Sequence, residues 1–395
     1  ANPDYSRMIT LFRFPGNLRF GARWCRAAMA IALSLGLPAL SAAQSPAASD
    51  AAPAASAKSV PSVESVPSAA SARSDEVRVE RSPVVLVLPL ASAAFGRAAE
   101  AVQAGFLAAA EAAKAKPVVI GHGDGDVVAA FAKAKNAGAR VIVGPLVRDD
   151  MKVLAAAGLE LPPTIALNQL DEGAALAENV YALSLTIDGE ARQLARRARE
   201  DGAATVAVIA SDTPRQQRFA SAFNSEWILA GGGAPVMFRF DPTPEVLRLM
   251  RRELVKTPVD AALLAVDAAD AALAKPYVGT IPSYTSSQVN ERQPPEALRD
   301  LDDVRFVDIP WLVDSDAATF ADIKRPDYPN TTLDRLYALG MDAFRVAQAF
   351  ADGSPAKLEF DGATGHLSLD ATRQFVREGR LMQFRAGRIA PVGER

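Results

Sequence analysis

Few residues of this chain could carry out chemistry. Histidine occurs twice, at His122 and His366, and cysteine once, at Cys25. One cysteine excludes both a disulfide framework and a cysteine-based zinc site. The two histidines lie far apart in sequence, so no metal-ligand spacing arises. "GHGDGD" (Gly121 to Asp126) offers one His and two Asp beside a carboxylate-rich turn, which is not a specific ligand set. Its glycines also lack the spacing of a dinucleotide fingerprint. The most conspicuous cluster of hydroxyls is "SYTSSQ" within "IPSYTSSQVN" (Ile281 to Asn290). A nucleophilic serine needs a base and an oxyanion site. The chain has no G-x-S-x-G elbow, and neither histidine is an evident partner. The sequence therefore predicts no catalytic residue, no metal and no cofactor. It reads "SYTSSQ" as a strand running into a loop.

The elements around these residues follow from apolar patterning. Of 395 residues, 49% are hydrophobic and 23% charged, a globular composition with length for more than one core. "SPVVLVLPL" from Ser82 is a continuous apolar run, as expected of a strand buried on both faces. Phe95, Ala98, Val102, Phe106, Ala109 and Ala113 then recur at helical spacing. "PVVIG", a helix between Asp126 as N-cap and Gly138, "RVIVGPL", a short helix from Asp149 to Ala157 and "PTIALN" continue the alternation. That alternation predicts a parallel sheet with helices on both faces. It restarts with "NVYALSLT", a helix from Gly189 to Glu200, "ATVAVIAS" and a helix punctuated by Thr213, Pro214 and Gln216. "APVMFRF", a second Thr-Pro helix, "DAALLAVD", "IPSYTS" and "VRFVDIPWLV" follow, the last three read as strands. A long helix ending at Gly353 and short tail strands complete the chain. The fold class is α/β, with two doubly wound Rossmann-like lobes. Ligands of such sheets bind at the carboxyl ends of the strands.

The N-terminal part has a different texture. Arg13, Arg19, Arg23 and Arg26 precede an apolar run from Ala27 to Leu40 and then Ser41-Ala42-Ala43. Residues 1–43 read as a secretory signal peptide, the alternative being an uncleaved N-terminal anchor. Cys25 stands before the apolar run, so no lipobox is expected. Residues 44–81 are nearly all Ala, Ser, Pro and Val without period, a disordered linker by composition. The formal net charge is −3, and removal of the Arg-rich leader makes the remainder more acidic. Nucleic acid is therefore not an expected partner.

The ordered series "GARVIVGPL", "PTIALN", "IPSYTSSQVN", "DLDDVRFVDIPWLV", "LDRLYALGMDAFRVA" and "FDGATGHLSLD" resembles the penicillin-binding-protein activator family, LppC/LpoA. That family is related in turn to type I periplasmic substrate-binding proteins. The resemblance covers roughly Pro83 to Arg395. It implies a type I periplasmic-binding-protein fold at 82–395, with lobe 1 at about 83–185 and 314–355 and lobe 2 at about 186–313 and 356–395. It implies a non-enzymatic, exported periplasmic regulator associated with the outer membrane, whose partner is a class A penicillin-binding protein, a peptidoglycan synthase. Some members carry a helical-repeat domain ahead of this one, where the linker stands here. An alternative reading is a solute-binding or sensing protein with an amino-acid-like small-molecule ligand in the cleft. The cleft-lining candidates at the strand ends are Ser92, Phe95, Pro145, Leu146, Asn168, Asp212, Tyr284 and Ser286. Asp308, within a strand, needs buried partners for its carboxylate, and His366 reads as an exposed strand residue.

Overall fold

The computed structural model describes residues 83–170, 174–292, 295–314, 318–353 and 358–393. The expected signal peptide and linker lie outside the described residues. In the first lobe, β1 (Val84–Leu88), β2 (Val118–Gly121), β3 (Val141–Val143), β4 (Thr164–Ala166) and β5 (Val180–Ala182) form one sheet in the order β2-β1-β3-β4-β5. Every pair is parallel. All five residues of β1 are buried, and period-2 alternation divides them between two cores. Val84, Leu86 and Leu88 enter the core with α1 (Gly96–Ala112) and α10 (Thr331–Ala351). Val85 and Val87 enter the core with α2 (Val127–Asn136) and α3 (Arg148–Ala157). A strand covered on both faces has no use for polar alternation, which is why β1 reads as an unbroken apolar run.

The second lobe repeats the plan. α4 (Ile187–Glu200) leads to β6 (Val206–Ala210), α5 (Pro214–Leu229), β7 (Val236–Arg239), α6 (Pro244–Lys256), β8 (Ala261–Ala265), α7 (Ala268–Val278) and β9 (Ser283–Thr285). The short α8 (Pro295–Leu298) precedes β10 (Val304–Asp308). Val206, Val208 and Ala210 face α4 and α5, and Ala207 and Ile209 face α6 and α7. Phe219, Phe223 and Trp227, placed on one helical face by their spacing, are all fully buried.

Four local features differ from the sequence expectation. The stretch 268–278 is a helix that alanine patterning conceals, because alanine on every side leaves no apolar stripe. Its start is marked by Asp267, whose side chain accepts the Asp270 N–H. "VRFVDIPWLV" is not one strand: β10 stops at Asp308, and Pro310 opens the short helix α9 (Pro310–Val313) at N1. Asp126 and Thr213 occupy N-cap positions, but neither side chain makes a capping hydrogen bond. The tail, assigned above to lobe 2 as a whole, divides between the lobes. β11 (Glu359–Gly362), β12 (Gly365–Leu369) and β13 (Phe375–Glu378) form an antiparallel sheet whose Ala363, Leu367 and Phe375 join the first-lobe core. Only β14 (Arg380–Arg385) and β15 (Arg388–Pro391) extend the second sheet, antiparallel, in the order β15-β14-β10-β9-β8-β6-β7. The division follows from side chains: the aromatic Phe375 fits the first core, and Met382 and Phe384 fit the second.

α10 locks the first lobe through a close helix crossing. A Cβ added at Gly340 would lie 2.0 Å from the Val102 carbonyl oxygen, and one at Gly105 would lie 1.9 Å from that of Tyr337. Phe106 and Phe344 meet edge-on nearby, with ring centroids 5.3 Å apart. Asp342, fully buried on α10, accepts hydrogen bonds from Ala363 N, Thr364 N and Thr364 Oγ1 at 2.8, 2.7 and 2.6 Å. The "GATG" turn is thereby fastened to the helix. Gly340→Ala should improve helix propensity by about 1 kcal/mol yet lower overall stability by about 1–3 kcal/mol through the backbone clash. Urea unfolding checks this, and a stabilised variant would contradict the crossing.

Candidate functional site

The hydroxyl cluster that opens the question of chemistry serves a buried junction. Glu190, on α4, accepts hydrogen bonds from Ser287 N and Ser287 Oγ, both at 3.0 Å. Arg377 of β13 stands 3.5 Å from the same carboxylate. Beside it, Arg335 of α10 grips Asp308 in a two-pronged pair at 3.0 and 2.7 Å and donates to the Ser287 carbonyl at 2.9 Å. Asn290 Nδ2 and Ile309 N complete the Asp308 shell at 2.8 Å each. Asp308 is wholly buried, and its need for partners is met by a first-lobe helix. Burial raises the Glu190 carboxyl above its ordinary value, opposed by Arg377. No nucleophile–base pair is assembled here, because the Ser287 N–H and hydroxyl both donate to the structural acid Glu190 and its carbonyl accepts from Arg335.

The eight candidates fall apart by environment. Ser92 is buried and its Oγ accepts the Phe95 N–H at 3.2 Å, closing the turn before α1. The Phe95 ring is exposed. Pro145 follows the cis Gly144–Pro145 peptide, and its carbonyl accepts Leu167 N. Leu146 packs into the first core, and its carbonyl accepts Asn168 Nδ2 at 2.9 Å. Asn168 Oδ1 is occupied by Gln169 N. Asp212 is exposed and ion-paired with Arg239. Tyr284 belongs to the α4–α5 core instead of the cleft, and its hydroxyl donates to Asp201 at 2.7 Å. Strand alternation accounts for this correction: the residue between Ser283 and Thr285 points to the opposite face. Ser286 is buried, and its Oγ has no partner among the described residues.

Pro145 lines a small cavity of about 80 Å³ beside β4 and β5; two larger cavities accompany the strand ends, and none of the eight candidates lines either. One, of about 550 Å³, lies at the carboxyl ends of β6, β8 and β9, with Ser211, Gln216, Asp267, Asp270, Gln288 and Glu291 in its wall. Gln216 Nε2 donates to Gln288 Oε1 at 3.0 Å, and Gln216 Oε1 is buried without a partner among the described residues. The other, of about 660 Å³, lies on the flank between lobes and is rich in arginine. Gln216, Glu190 and Arg377 escaped sequence reading because they sit inside helices or a short strand with no motif around them. Gln216 drew notice only as a helix N3 residue. Among the described residues, no group of three or more His, Cys, Asp or Glu could hold a metal ion. His366 is half-buried on β12, not exposed as expected, and lies between Asp361 and Glu359 at 2.9 Å each.

Removing the Arg335 charge by Arg335→Met leaves Asp308 buried and unpaired, and should lower stability by about 3–5 kcal/mol in urea unfolding. For Glu190, the folded value lies above the ordinary 4.5. The fold thus favours the protonated form, whose contribution is fully present below the unfolded value and lost as pH rises through the folded one. The unfolding free energy of the parent relative to Glu190→Gln should therefore rise on acidification from neutral pH toward 4.5. A pH-independent difference would contradict the assignment.

The described domain matches known proteins along nearly its whole length. The family model described as "LppC putative lipoprotein" matches residues 65–248 and 248–387. A "Penicillin-binding protein activator LpoA" of Edwardsiella piscicida is 28% identical over 308 residues, covering 67% of this chain and 44% of that protein. The chain thus spans less than half the length of that curated relative. A solved structure from Chromobacterium violaceum, described as a "putative branched-chain amino acid ABC transporter", aligns with TM-score 0.69 and 33% identity, covering 76% of this chain and 99% of that one. The C-domain of Haemophilus influenzae LpoA, "a regulator of PBP1A", aligns with TM-score 0.69 and 24% identity, covering 78% and 99%. The fold is that of type I periplasmic binding proteins, and the relatives named LpoA are described as an activator and a regulator. With family-model matches running from residue 65 to residue 387, the chain belongs to the LppC family.

Proposed function

We propose that this chain is a non-enzymatic, exported periplasmic regulator that binds and activates a class A penicillin-binding protein, promoting peptidoglycan synthesis. The observation that carries the reading is the match of the folded domain to activators and to a regulator of PBP1A. The site chemistry agrees with it. Ser287 and Asn168, which composition could offer to a substrate, are engaged by Glu190, Leu146 and Gln169. A protein that acts by docking needs a shaped surface and a rigid frame, and the Arg335–Asp308 pair supplies rigidity where the lobes join.

A second reading, a receptor for an amino-acid-like solute, draws on the Chromobacterium likeness and on three buried polar atoms without partners. These are His122 Nε2, Gln216 Oε1 and Ser286 Oγ. The test is to add the chain lacking residues 1–43 to a class A penicillin-binding protein and follow glycan polymerisation and cross-linking on lipid II. Saturable binding with faster synthesis is the expected outcome. Absence of both would overturn direct activation by this chain, and a thermal shift with free amino acids would then favour the second reading.

A further inference from the structure

The 660 Å³ cavity on the flank has a character its neighbours lack. Arg148 enters it from α3, Arg192 and Arg196 from α4, Arg218 from α5 and Arg377 from β13, against Asp188 and Asp370 as the acids in its wall. Several of these guanidinium groups are held in place from behind. Arg218 donates to Asp188, which also accepts Gln169 Nε2 at 3.1 Å. Arg196 pairs with Glu226 and Glu378 at 3.2 and 3.5 Å, and Arg377 stands against Glu190. A guanidinium carries five N–H donors, so one held by a single carboxylate keeps donors for another anion. Arg192 is exposed and makes no hydrogen bond or ion pair among the described residues.

Spacing aligns these groups. Arg192 and Arg196 are four apart on α4, and Arg218, Ser221 and Ser225 recur at three and four on α5, so each set lies on one helix face. The two packed helices present a track of guanidinium and hydroxyl donors in a protein whose formal net charge is −3. Small-molecule sites are mostly apolar and envelop their ligand. Here the wall is polar, and Arg192, Ser221 and Ser225 are exposed along one side. Phe375 and the exposed Val376 add an apolar contact at the β13 end. An extended chain bearing several carboxylates matches this open, charged track, which a compact solute would leave largely unfilled.

We propose that the arginine-lined groove between α4, α5 and β13 is the docking site for an acidic polypeptide segment of the partner synthase. This rests on the regulator reading above and specifies the chemistry by which the partner is recognised. Charge complementarity of this kind acts on encounter rate and register, and it weakens with salt.

The experiment titrates a fluorescein-labelled oligo-glutamate peptide with the purified protein and reads anisotropy at low and high salt. Salt-sensitive binding is expected, at least about tenfold weaker in Arg192→Glu/Ser221→Glu. Arg252→Glu, on α6 across the second sheet, should leave it unchanged. All three positions are exposed, and a thermal melt confirms folding. Ser225→Glu alone serves if the double variant is lost. Equal binding by the double variant, or an equal loss in the Arg252 control, overturns the site. Inorganic phosphate binding as tightly as the peptide makes the groove a small-anion site and overturns the docking assignment. The same variants tested against the intact synthase separate the two readings. Parental binding that the double variant retains removes the groove and leaves the regulator. Absence of parental binding removes the regulator, with the peptide result judged by itself.

Discussion

The structure depends on a single buried ion pair. β10 ends at Asp308, a carboxylate shut off from water, and in a low-dielectric interior such a group is tolerable only with a charge and hydrogen bonds around it. Its countercharge, Arg335, comes from α10, a helix whose remaining faces complete the first-lobe core. The same guanidinium reaches the Ser287 carbonyl. The end of β10, the loop after β9 and the long helix are therefore fixed by one side chain, and the neighbouring Glu190–Arg377 contact draws in α4 and β13. A fork-shaped donor suits this geometry, because two parallel hydrogen bonds fix orientation as well as distance.

Much of the architecture was legible before any coordinates. Strands covered on both faces must be apolar at every position, so β1, β6 and β8 stand out as unbroken runs. Helices with one buried face advertise it by spacing, as α5 does with Phe219, Phe223 and Trp227. What stayed hidden has physical reasons. α7 is alanine on most sides and leaves no stripe. Tyr284 reads as cleft-lining by its place before the loop, yet the pleat turns it into a core. The parting of the tail between two sheets is decided by which cavity each aromatic fills, a property of the assembled lobes.

The candidate site was legible in outline only. Sequence placed Ser92, Asn168 and Ser286 at the ends of strands, but Ser92 is engaged by its own turn, and the Asn168 amide is held partly by Leu146, 22 positions away. Ser287 meets Glu190 across 97 positions. The charges that give the flank groove its sign are likewise spread over α3, α4, α5 and β13, and no local window contains them. Family resemblance supplied the functional reading that motif analysis left open, and the flank groove adds a polar, open surface to it.

The late division of the tail bears on how the chain acquires its shape. The first-lobe sheet needs α10 and residues 363, 367 and 375 to cover one face, although its strands are complete by residue 182. A polypeptide emerging from its N-terminal side therefore carries that apolar face covered by α1 alone until nearly all of the domain has appeared. Neither lobe can mature before the other is threaded between its parts, so the two are a single cooperative folding unit with many sequence-distant contacts. Such a topology makes the interval between emergence and closure the period of greatest exposure to aggregation and to proteases.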